Sequence, residues 1–244
     1  MNFNTNKYVL IVAALAVRKA ANHRSEMIHQ ILFGEEFWIL EENENWVYVR
    51  TVLDQYEGWI EHKVEYFELA KHAPNVIIIS SYFAKVANDH QLLNVPFASC
   101  LGNSSFQLVE GETTAILNIK DCLTILETNY LGAPYLWGGK TTYGIDCSGL
   151  VQIYVRFLGK QIARDAKDQA QMGETILFDQ MKIGDLVFFD GKFEHQVNHV
   201  GILCGLGLIL HASGSVRKDS LHPEGIWNED LKIYTHKYLF TKRI

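Results

Sequence analysis

The chain has 244 residues, of which 48% are hydrophobic and 20% are charged, and its formal net charge is −6. This length and apolar content allow a substantial core that is divided over more than one domain. The acidic balance argues against nucleic acid or an anionic membrane as a partner. No apolar run is long enough to span a bilayer.

The first apolar run lies close to the N-terminus. Residues 8–16 follow Lys7 and resemble a short signal peptide that ends in Ala-x-Ala. The competing interpretation is a buried first strand that leads into Val17 and Arg18. Because only one basic residue precedes the run, we favour the strand and a cytoplasmic location, with export as the alternative.

Residues 1–72 contain short apolar runs that are rich in aromatic and β-branched residues, which predicts a small β-barrel. These runs span residues 30–33, 36–40, 46–52 and 58–60. Four segments resemble bacterial SH3-like domains, and more narrowly the first such domain of the γ-D-glutamyl-diamino-acid endopeptidases. They are Ser25-Glu26-Met27, Gln30 to Glu35, Asn45 to Val49 and Asp54 to Ile60.

A second strand-rich region covers residues 73–118 and predicts a second, shorter SH3-like barrel. Its apolar runs span residues 76–80, 92–95, 107–110 and 114–119, and none carries a signal for chemistry. Apolar residues then recur at helix spacing over residues 120–131, and Gly132-Ala133-Pro134 ends this pattern. The predicted helix leads into a third domain, at residues 119–244.

A single cysteine lies where a loop gives way to a helical pattern. Cys147 stands between Asp146 and Ser148, and apolar residues continue at helix spacing up to Gly159. The first turn of a helix has unpaired amides and a dipole that favour a thiolate over a thiol. The sequence therefore predicts that Cys147 is a nucleophile. The remaining cysteines lack disulfide-like or zinc-like spacing and are predicted core residues: Cys100, Cys122 and Cys204.

Two apolar runs, separated by Gly205-Leu206-Gly207, predict an antiparallel hairpin that carries two histidines. With this loop, Cys204 faces Leu208, and His199 and His211 project from the same face as diagonal neighbours. One imidazole can then act as general base to the thiol while the other orients it. A loop one residue shorter would put the two histidines on opposite faces.

The order cysteine, histidine, histidine, with its flanking motifs, resembles the NlpC-type cell-wall peptidases. The similar motifs are YLWGG at 135–139, DCSG at 146–149, HVGI at 199–202, HAS at 211–213 and the strand entry at 182–189. The resemblance implies an α+β, papain-like cysteine peptidase domain, here preceded by two small SH3-like β-barrels. It also implies peptidoglycan peptides as substrate and no cofactor, with Cys147 as nucleophile, His199 as base and His211 as its orienting partner.

The same resemblance implies substrate-binding roles for residues around the nucleophile. Tyr135 would donate its hydroxyl to the developing oxyanion, and Trp137 would wall the pocket. Asp146 and Ser148 would hold the D-glutamyl carboxylate and the substrate backbone. The alternatives are that Trp137 is a plain core residue and that Asp146 merely caps the helix.

A further set is implied for the amino terminus of the substrate. Arg164 and Asp165 begin a run, ending at Gln169, that is similar to an Arg-Asp-x-x-x-Gln run of the family. In the endopeptidases, this aspartate pairs with the free α-amine of the substrate. Glu26 and Tyr56 match the first-barrel residues that close the same pocket. Without the resemblance, the charge pair suggests a cap or solvated surface, and Glu26 an ordinary loop carboxylate.

Together these resemblances imply hydrolysis of the bond between γ-D-glutamate and the diamino acid of a stem peptide that begins with free L-alanine. A first barrel that limits the site to a dipeptide would exclude stems attached to sugar, which suggests recycling of free muropeptides. The sequence does not distinguish diaminopimelate from lysine at the third position, and it leaves the oligomeric state open.

Three other functions deserve comparison. A metallohydrolase could use His195 and His199, four residues apart, with Glu194, His211 and Glu224 nearby. Zinc ligands at that spacing usually lie on a helix, whereas this segment is predicted to be loop and strand. An inactive wall-binding module would be expected to lack part of the catalytic set, and this chain has all of it. Papain-like acyltransferases use the same catalytic pair, but the set of Glu26, Tyr56 and Asp165 fits a peptide with a free amino terminus better.

Overall fold

The computed structural model describes residues 6–71, 77–190 and 196–244. The chain divides into two compact units. The first comprises residues 1–116 together with 137–142, and the second comprises 117–136 together with 143–244. The expected boundary between the two barrels, near residue 72, lies outside the described residues, and the three-domain division stays a prediction.

The first unit begins with a set of antiparallel strands. These are β1 (Lys7–Leu10), β2 (Ala14–Arg18), β3 (Met27–Leu32), β4 (Glu36–Asn43), β5 (Trp46–Thr51), β6 (Glu57–Glu61) and β7 (Phe67–Leu69), with a 3₁₀ turn at Val64–Tyr66. They form one seven-stranded sheet in the order β3-β2-β6-β5-β4-β1-β7. Alternate side chains point inward, because strand side chains have a period of two. The resulting core contains Leu10, Val17, Ile31, Phe37, Ile39, Val47, Val49 and Ile60.

The run at residues 8–16 forms part of this sheet. Its first half lies in β1 and its second half in β2, and the side chains of Val9 and Leu10 are fully buried. β1 pairs with β4 and β7, and β2 pairs with β3 and β6. The run therefore contributes to two strands, whereas the buried-strand interpretation expected one.

The second strand-rich region folds as two three-stranded sheets in the same unit. Its strands are β8 (Ile77–Ile79), β9 (Phe83–Ala87), β10 (Leu92–Pro96), β11 (Cys100–Leu101), β12 (Gln107–Glu110) and β13 (Thr113–Thr114). They are ordered β10-β9-β12 and β11-β8-β13. The core of this region includes Phe33, from the turn after β3, which meets Phe106 edge-on with ring centroids 5.5 Å apart. The strand predicted at 114–119 is wrong beyond Thr114, since Asn118 caps a helix there.

The segment Trp137–Thr142 also belongs to the first unit and contains β14 (Lys140–Thr141). Gly138 has a φ of 78°, and a Cβ on it would lie 2.7 Å from the carbonyl oxygen of Met27. A glycine is therefore required where this segment approaches β3. The amide of Lys140 donates to Oε1 of Gln30 at 2.8 Å, and its ammonium lies 2.8 Å from Oε1 of Glu35.

The second unit combines three helices with a barrel. The helices are α1 (Ile119–Tyr130), α2 (Cys147–Phe157) and α3 (Ala166–Gln169), and Phe178–Gln180 is a 3₁₀ turn. The strands are β15 (Gly144–Ile145), β16 (Glu174–Ile176), β17 (Leu186–Asp190), β18 (Val197–Gly205), β19 (Leu208–Ser213), β20 (Ser215–His222), β21 (Gly225–Asn228) and β22 (Ile233–Arg243). β17 to β22 pair in the order β22-β17-β18-β19-β20-β21, and β21 pairs back with β22, so six strands close into a barrel. This α+β, papain-like unit agrees with the predicted fold class.

Both helices predicted from the sequence are present. α1 differs by one residue at each end from the predicted 120–131, and Gly132 follows it with a φ of 83°. α2 begins at Cys147, and Gly159 has a φ of 72°, as expected for a residue that ends a helix. Within the described ranges, no helix is long and apolar enough to cross a membrane.

The hairpin of β18 and β19 has the expected register at its histidines but a different turn. Gly201 pairs with His211, whereas Leu208 pairs with Gly205 rather than with Cys204. The turn is therefore one residue shorter than predicted. A β-bulge at Cys204 takes up the extra residue, so the faces of the strands are unchanged beyond it. The bulge thus cancels the register shift that a shorter turn would otherwise cause.

Candidate active site

Cys147 is the first residue of α2, and its side chain is buried. Asp146 is the N-cap residue: it has an extended backbone, and its Oδ1 accepts from the amide of Gly149 at 2.7 Å. The expected helix cap is therefore present. It fixes the first turn of α2 and with it the direction of the thiol.

The environment of the thiol favours its neutral form. Burial, together with the nearby Asp146 carboxylate, raises the pKa of Cys147 to about 12. The backbone amides of Val200 and Ser148 and the Arg164 guanidinium lower this pKa, but by less. This direction is opposite to the one predicted from the helix end alone, because desolvation of the anion outweighs the helix field. A base must therefore take the proton during the reaction.

Two histidines and an aspartate form a chain of hydrogen bonds. Nε2 of His199 lies 2.9 Å from Nδ1 of His211, and Nε2 of His211 lies 3.0 Å from Oδ2 of Asp219. All three side chains are buried. Val200, the residue after His199, places its amide at the Cys147 sulfur. Because Nε2 of His199 bonds to His211, Nδ1 is its ring nitrogen that can accept a proton from the thiol.

The His199 ring is held from two further sides. His236 of β22 stacks on it with ring centroids 4.1 Å apart, and Phe189 of β17 lies at 6.0 Å. Burial lowers the pKa of His199 well below its usual value, and His236 and His211 lower it further. His199 is consequently a neutral imidazole at neutral pH, as a general base requires.

Comparison with known proteins indicates the family to which this chain belongs. The NlpC/P60 family matches residues 132–235, and the bacterial dipeptidyl-peptidase Sh3 domain matches residues 17–63. The γ-D-glutamyl-L-lysine dipeptidyl-peptidase of Bacillus subtilis is 31% identical over 216 residues, which cover 75% of this chain and 71% of that protein. The chain belongs to the NlpC/P60 family. It is accordingly a cysteine peptidase of the class that acts on cell-wall peptides.

Two further comparisons extend over most of this NlpC/P60 chain. Dipeptidyl-peptidase 6 of Lysinibacillus sphaericus is 28% identical over 253 residues, covering 85% of this chain and 89% of that protein. The crystal structure of an NlpC/P60 family protein from Bacillus cereus has the same fold, with a TM-score of 0.78 at 18% identity, covering 97% of this chain and 99% of that one. Both the SH3 and the papain-like parts of the predicted fold are therefore confirmed.

Two residues of the Arg-Asp-x-x-x-Gln run, Arg164 and Gln169, form hydrogen bonds with the residues that flank Cys147 at the start of α2. Nη1 and Nη2 of Arg164 lie 3.0 and 2.6 Å from the two carboxylate oxygens of Asp146, and Nη1 also donates to Ser148 Oγ at 2.8 Å. Gln169 donates to the carbonyl of Ser148 at 3.0 Å. Arg164 is almost completely buried, so the expected solvated charge pair is wrong for this residue. This network holds the first turn of α2 in place.

Tyr135 and Trp137 lie in different units. Tyr135 is partly exposed, and burial together with the nearby Asp146 carboxylate raises its pKa. Its hydroxyl therefore stays protonated and can donate, as an oxyanion-binding group must. Trp137 lies in the first unit and is 58% exposed, which does not fit the plain-core alternative.

The residues expected to bind the amino terminus of the substrate are also divided between the units. Glu26 and Tyr56 lie in the first: Glu26 is exposed with Lys19 at 3.7 Å, and Tyr56 packs on His29 with ring centroids 5.4 Å apart. Asp165 lies in the second, where it precedes α3 and makes no side-chain cap bond. Their convergence on one substrate group stays a prediction.

Sequence reasoning missed Asp219 and His236. The tight Ser213-Gly214-Ser215 turn is a usable signal for Asp219, because it pairs His211 with Arg217 and makes Asp219 a diagonal neighbour on the same face. His236 carries no comparable local signal. Its place depends on the pairing of β22 with β17 and β21, which closes the barrel.

The metallohydrolase alternative requires a group of side chains that could bind a metal ion. Among the described residues, no group of three or more histidine, cysteine, aspartate or glutamate side chains could hold a metal ion. His195 and Glu194 lie outside the described residues. His199, as part of β18, is on a strand and not on a helix.

Proposed function

We propose that this NlpC/P60 protein hydrolyses the γ-D-glutamyl–diamino acid bond of peptidoglycan stem peptides through a thioester at Cys147. The observation that carries the catalytic part is the hydrogen-bonded pair of His199 and His211 on β18 and β19, with the Val200 amide at the Cys147 sulfur. A neutral thiol next to a neutral, oriented imidazole is the pair that general-base activation of a nucleophile needs.

The reaction follows from these protonation states. As Sγ of Cys147 bonds to the scissile carbonyl carbon, its proton moves to Nδ1 of His199, and the resulting imidazolium is stabilised by His211. The amide of Cys147 and the hydroxyl of Tyr135 donate to the oxyanion. Collapse of the intermediate breaks the C–N bond, and the proton passes from His199 to the leaving amine. A water molecule then hydrolyses the thioester with His199 as base, which restores the thiol.

The substrate class is supported by the extent of the similarity. Two relatives whose names specify a dipeptidyl-peptidase are similar to this chain over 75% and 85% of its length, and the SH3 match is to a dipeptidyl-peptidase domain. A free L-alanine at the start of the substrate is the finer part of the proposal, with Asp165, Glu26 and Tyr56 as its binding residues. We further propose a role in recycling free muropeptides in the cytoplasm.

The test is incubation with L-Ala-γ-D-Glu-diaminopimelate and with its lysine counterpart, with products identified by mass spectrometry. We expect release of the dipeptide L-Ala-γ-D-Glu from at least one of them. Cys147→Ala should abolish release, whereas Cys204→Ala, a matched change at the half-buried cysteine, should retain it. Release of the dipeptide by Cys147→Ala would exclude the thioester mechanism.

A further inference from the structure

Asp219 lies at the end of the chain of hydrogen bonds that runs through His199 and His211. Its protonation state determines which atoms in that chain donate and which accept. Oδ2 faces Nε2 of His211 at 3.0 Å, and Oδ1 accepts from Nη2 of Arg217 at 2.9 Å. Nε of Arg217 also lies 2.7 Å from Oδ2. Burial alone would raise the pKa of Asp219, but the hydrogen bonds from His211 and Arg217 outweigh burial and lower it. Asp219 is therefore an ionised carboxylate at neutral pH.

An ionised carboxylate only accepts hydrogen bonds, so Nε2 of His211 must carry a hydrogen. When His211 is the neutral imidazole, its other nitrogen, Nδ1, is an acceptor and receives the hydrogen on Nε2 of His199. His199 in turn has its lone pair on Nδ1, the nitrogen that must take the thiol proton. Each donor in the chain is determined by the one before it, starting at the carboxylate.

We infer that Asp219 is a positioning residue that sets the tautomers of both histidines and thereby makes His199 a competent base. This inference rests on the proposed roles of Cys147 and His199. A side chain at position 219 that can donate as well as accept would allow the hydrogen bonds of this chain to reverse direction. Nδ1 of both rings would then be protonated. In that state His199 offers the thiol a donor in place of an acceptor, and proton transfer stops.

Arg217 contributes by fixing the carboxylate. Its Nη2 bridges Asp219 and Asp230, whose Oδ2 lies 3.0 Å away. Asp230 is mostly exposed and meets Arg217 from the solvent side, whereas Asp219 meets His211 from the interior. The two aspartates thus share one arginine, but only Asp219 can influence the histidines. Asp230→Asn is therefore a matched control for Asp219→Asn.

The test measures tautomers and thiol reactivity, neither of which needs a peptide substrate. Long-range ¹H–¹⁵N spectra of the histidine rings, assigned with His199→Gln and His211→Gln, should show hydrogen on Nε2 of both rings in the wild-type protein. In Asp219→Asn, the Nδ1–H form should gain population, and alkylation of Cys147 by iodoacetamide at pH 7.5 should slow by about tenfold or more. Asp230→Asn should leave both measurements as in the wild type.

Hydrogen on Nδ1 of His199 in the wild-type protein would overturn the inference, and this result requires no variant to fold. Unchanged tautomers and alkylation in a folded Asp219→Asn would overturn it as well. Failure of the protein to cleave any stem peptide would contradict the proposed substrate alone, because the spectra and the alkylation rates would stand independently.

Discussion

At the scale of single residues, Cys147, the proposed nucleophile, illustrates two opposing effects on one thiol. The start of α2 and the amides of Ser148 and Val200 favour the anion, whereas burial and Asp146 disfavour it and raise the pKa of Cys147 to about 12. Burial has the larger effect, so under the proposed mechanism the reactivity of this thiol depends on proton transfer to His199 and not on a thiolate that is already present. This differs from the common expectation for a cysteine at a helix start.

A labelling experiment distinguishes a thiol that is activated by proton transfer from one that reacts as a thiolate already present. Cys204 is half-buried with a pKa of about 11, so exposure and acidity alone would make it react before Cys147. We expect iodoacetamide at pH 7.5 to label Cys147 first, because His199 acts as its base. His199→Ala should reverse this order, as read by peptide mass spectrometry. An unchanged order in His199→Ala would mean that the imidazole does not activate the thiol.

The pH dependence of the same labelling follows from the direction of the shift at His199. Burial lowers the pKa of His199 well below 6.5, so the ring stays neutral and able to accept a proton as the pH falls to 6.5. Labelling of Cys147 should therefore hold between pH 9 and 6.5 and decrease only at lower pH. Labelling of Cys204, which has no such base, should instead fall about tenfold per pH unit below its pKa.

At the scale of elements, a buried ion pair links the segment 137–142 to the rest of the first unit. Nζ of Lys140 lies 2.8 and 3.0 Å from the two oxygens of Glu35, and both side chains are almost completely buried. A second pair lies nearby, with Nε2 of His29 3.3 Å from Oδ2 of Asp54. Burial would raise the pKa of Asp54, but His29 and Lys140 together lower it well below its usual value.

This ion pair predicts a characteristic pattern of stabilities. Lys140→Met leaves a buried carboxylate without its counter-charge and should lower the free energy of unfolding by about 3–5 kcal/mol. The double variant Lys140→Met, Glu35→Leu should recover most of that loss, because neither charge then remains buried. Denaturant unfolding of the full chain measures both.

The exposed pair of Lys85 and Glu110 supplies the control for this measurement. Lys85→Met should change the free energy of unfolding by no more than about 0.5 kcal/mol, because solvent screens exposed charges. If the losses of Lys140→Met and Glu35→Leu were simply additive, the two side chains would not act as a pair.

At the scale of the whole molecule, selectivity for a free amino terminus would require residues from both units. An ammonium loses several kcal/mol when it leaves water without a counter-charge, so carboxylates must meet it. Asp165 and Glu26 are the candidates, with side chains 33% and 45% exposed. Because solvent screening grows with exposure, Asp165 should contribute more than Glu26.

We therefore expect the protein to cleave a stem peptide with free L-alanine and to spare its N-acetylated form. Asp165→Asn should lower kcat/KM for the free peptide while leaving the labelling of Cys147 unchanged, and Glu26→Gln should do so more weakly. Asp168→Asn, an exposed change in the short helix that follows Asp165, is the matched control. Equal rates on free and acetylated peptides would instead indicate a general cell-wall hydrolase.

The sequence by itself determined the helices α1 and α2 and the SH3-like and papain-like parts of the fold, and it predicted Cys147, His199 and His211 as the catalytic residues. These features have local signatures: a capped helix start at Asp146, a stop at Gly159, and alternation around a glycine turn. Even the face shared by His199 and His211 followed from period-two alternation, although the bulge at Cys204 was not foreseen. Residue spacing in the sequence is enough to predict the geometry that depends on one element or on two adjacent elements.

Tertiary structure alone decided the electrostatics of the site. The high pKa of Cys147 and the low pKa of His199 arise from burial, which depends on strands far apart in the sequence. His236 reaches His199 only because β22 closes the barrel, and Arg164 is buried only because Asp146 neutralises it. Desolvation and charge pairing are properties of the packed interior, and no spacing along the chain encodes them.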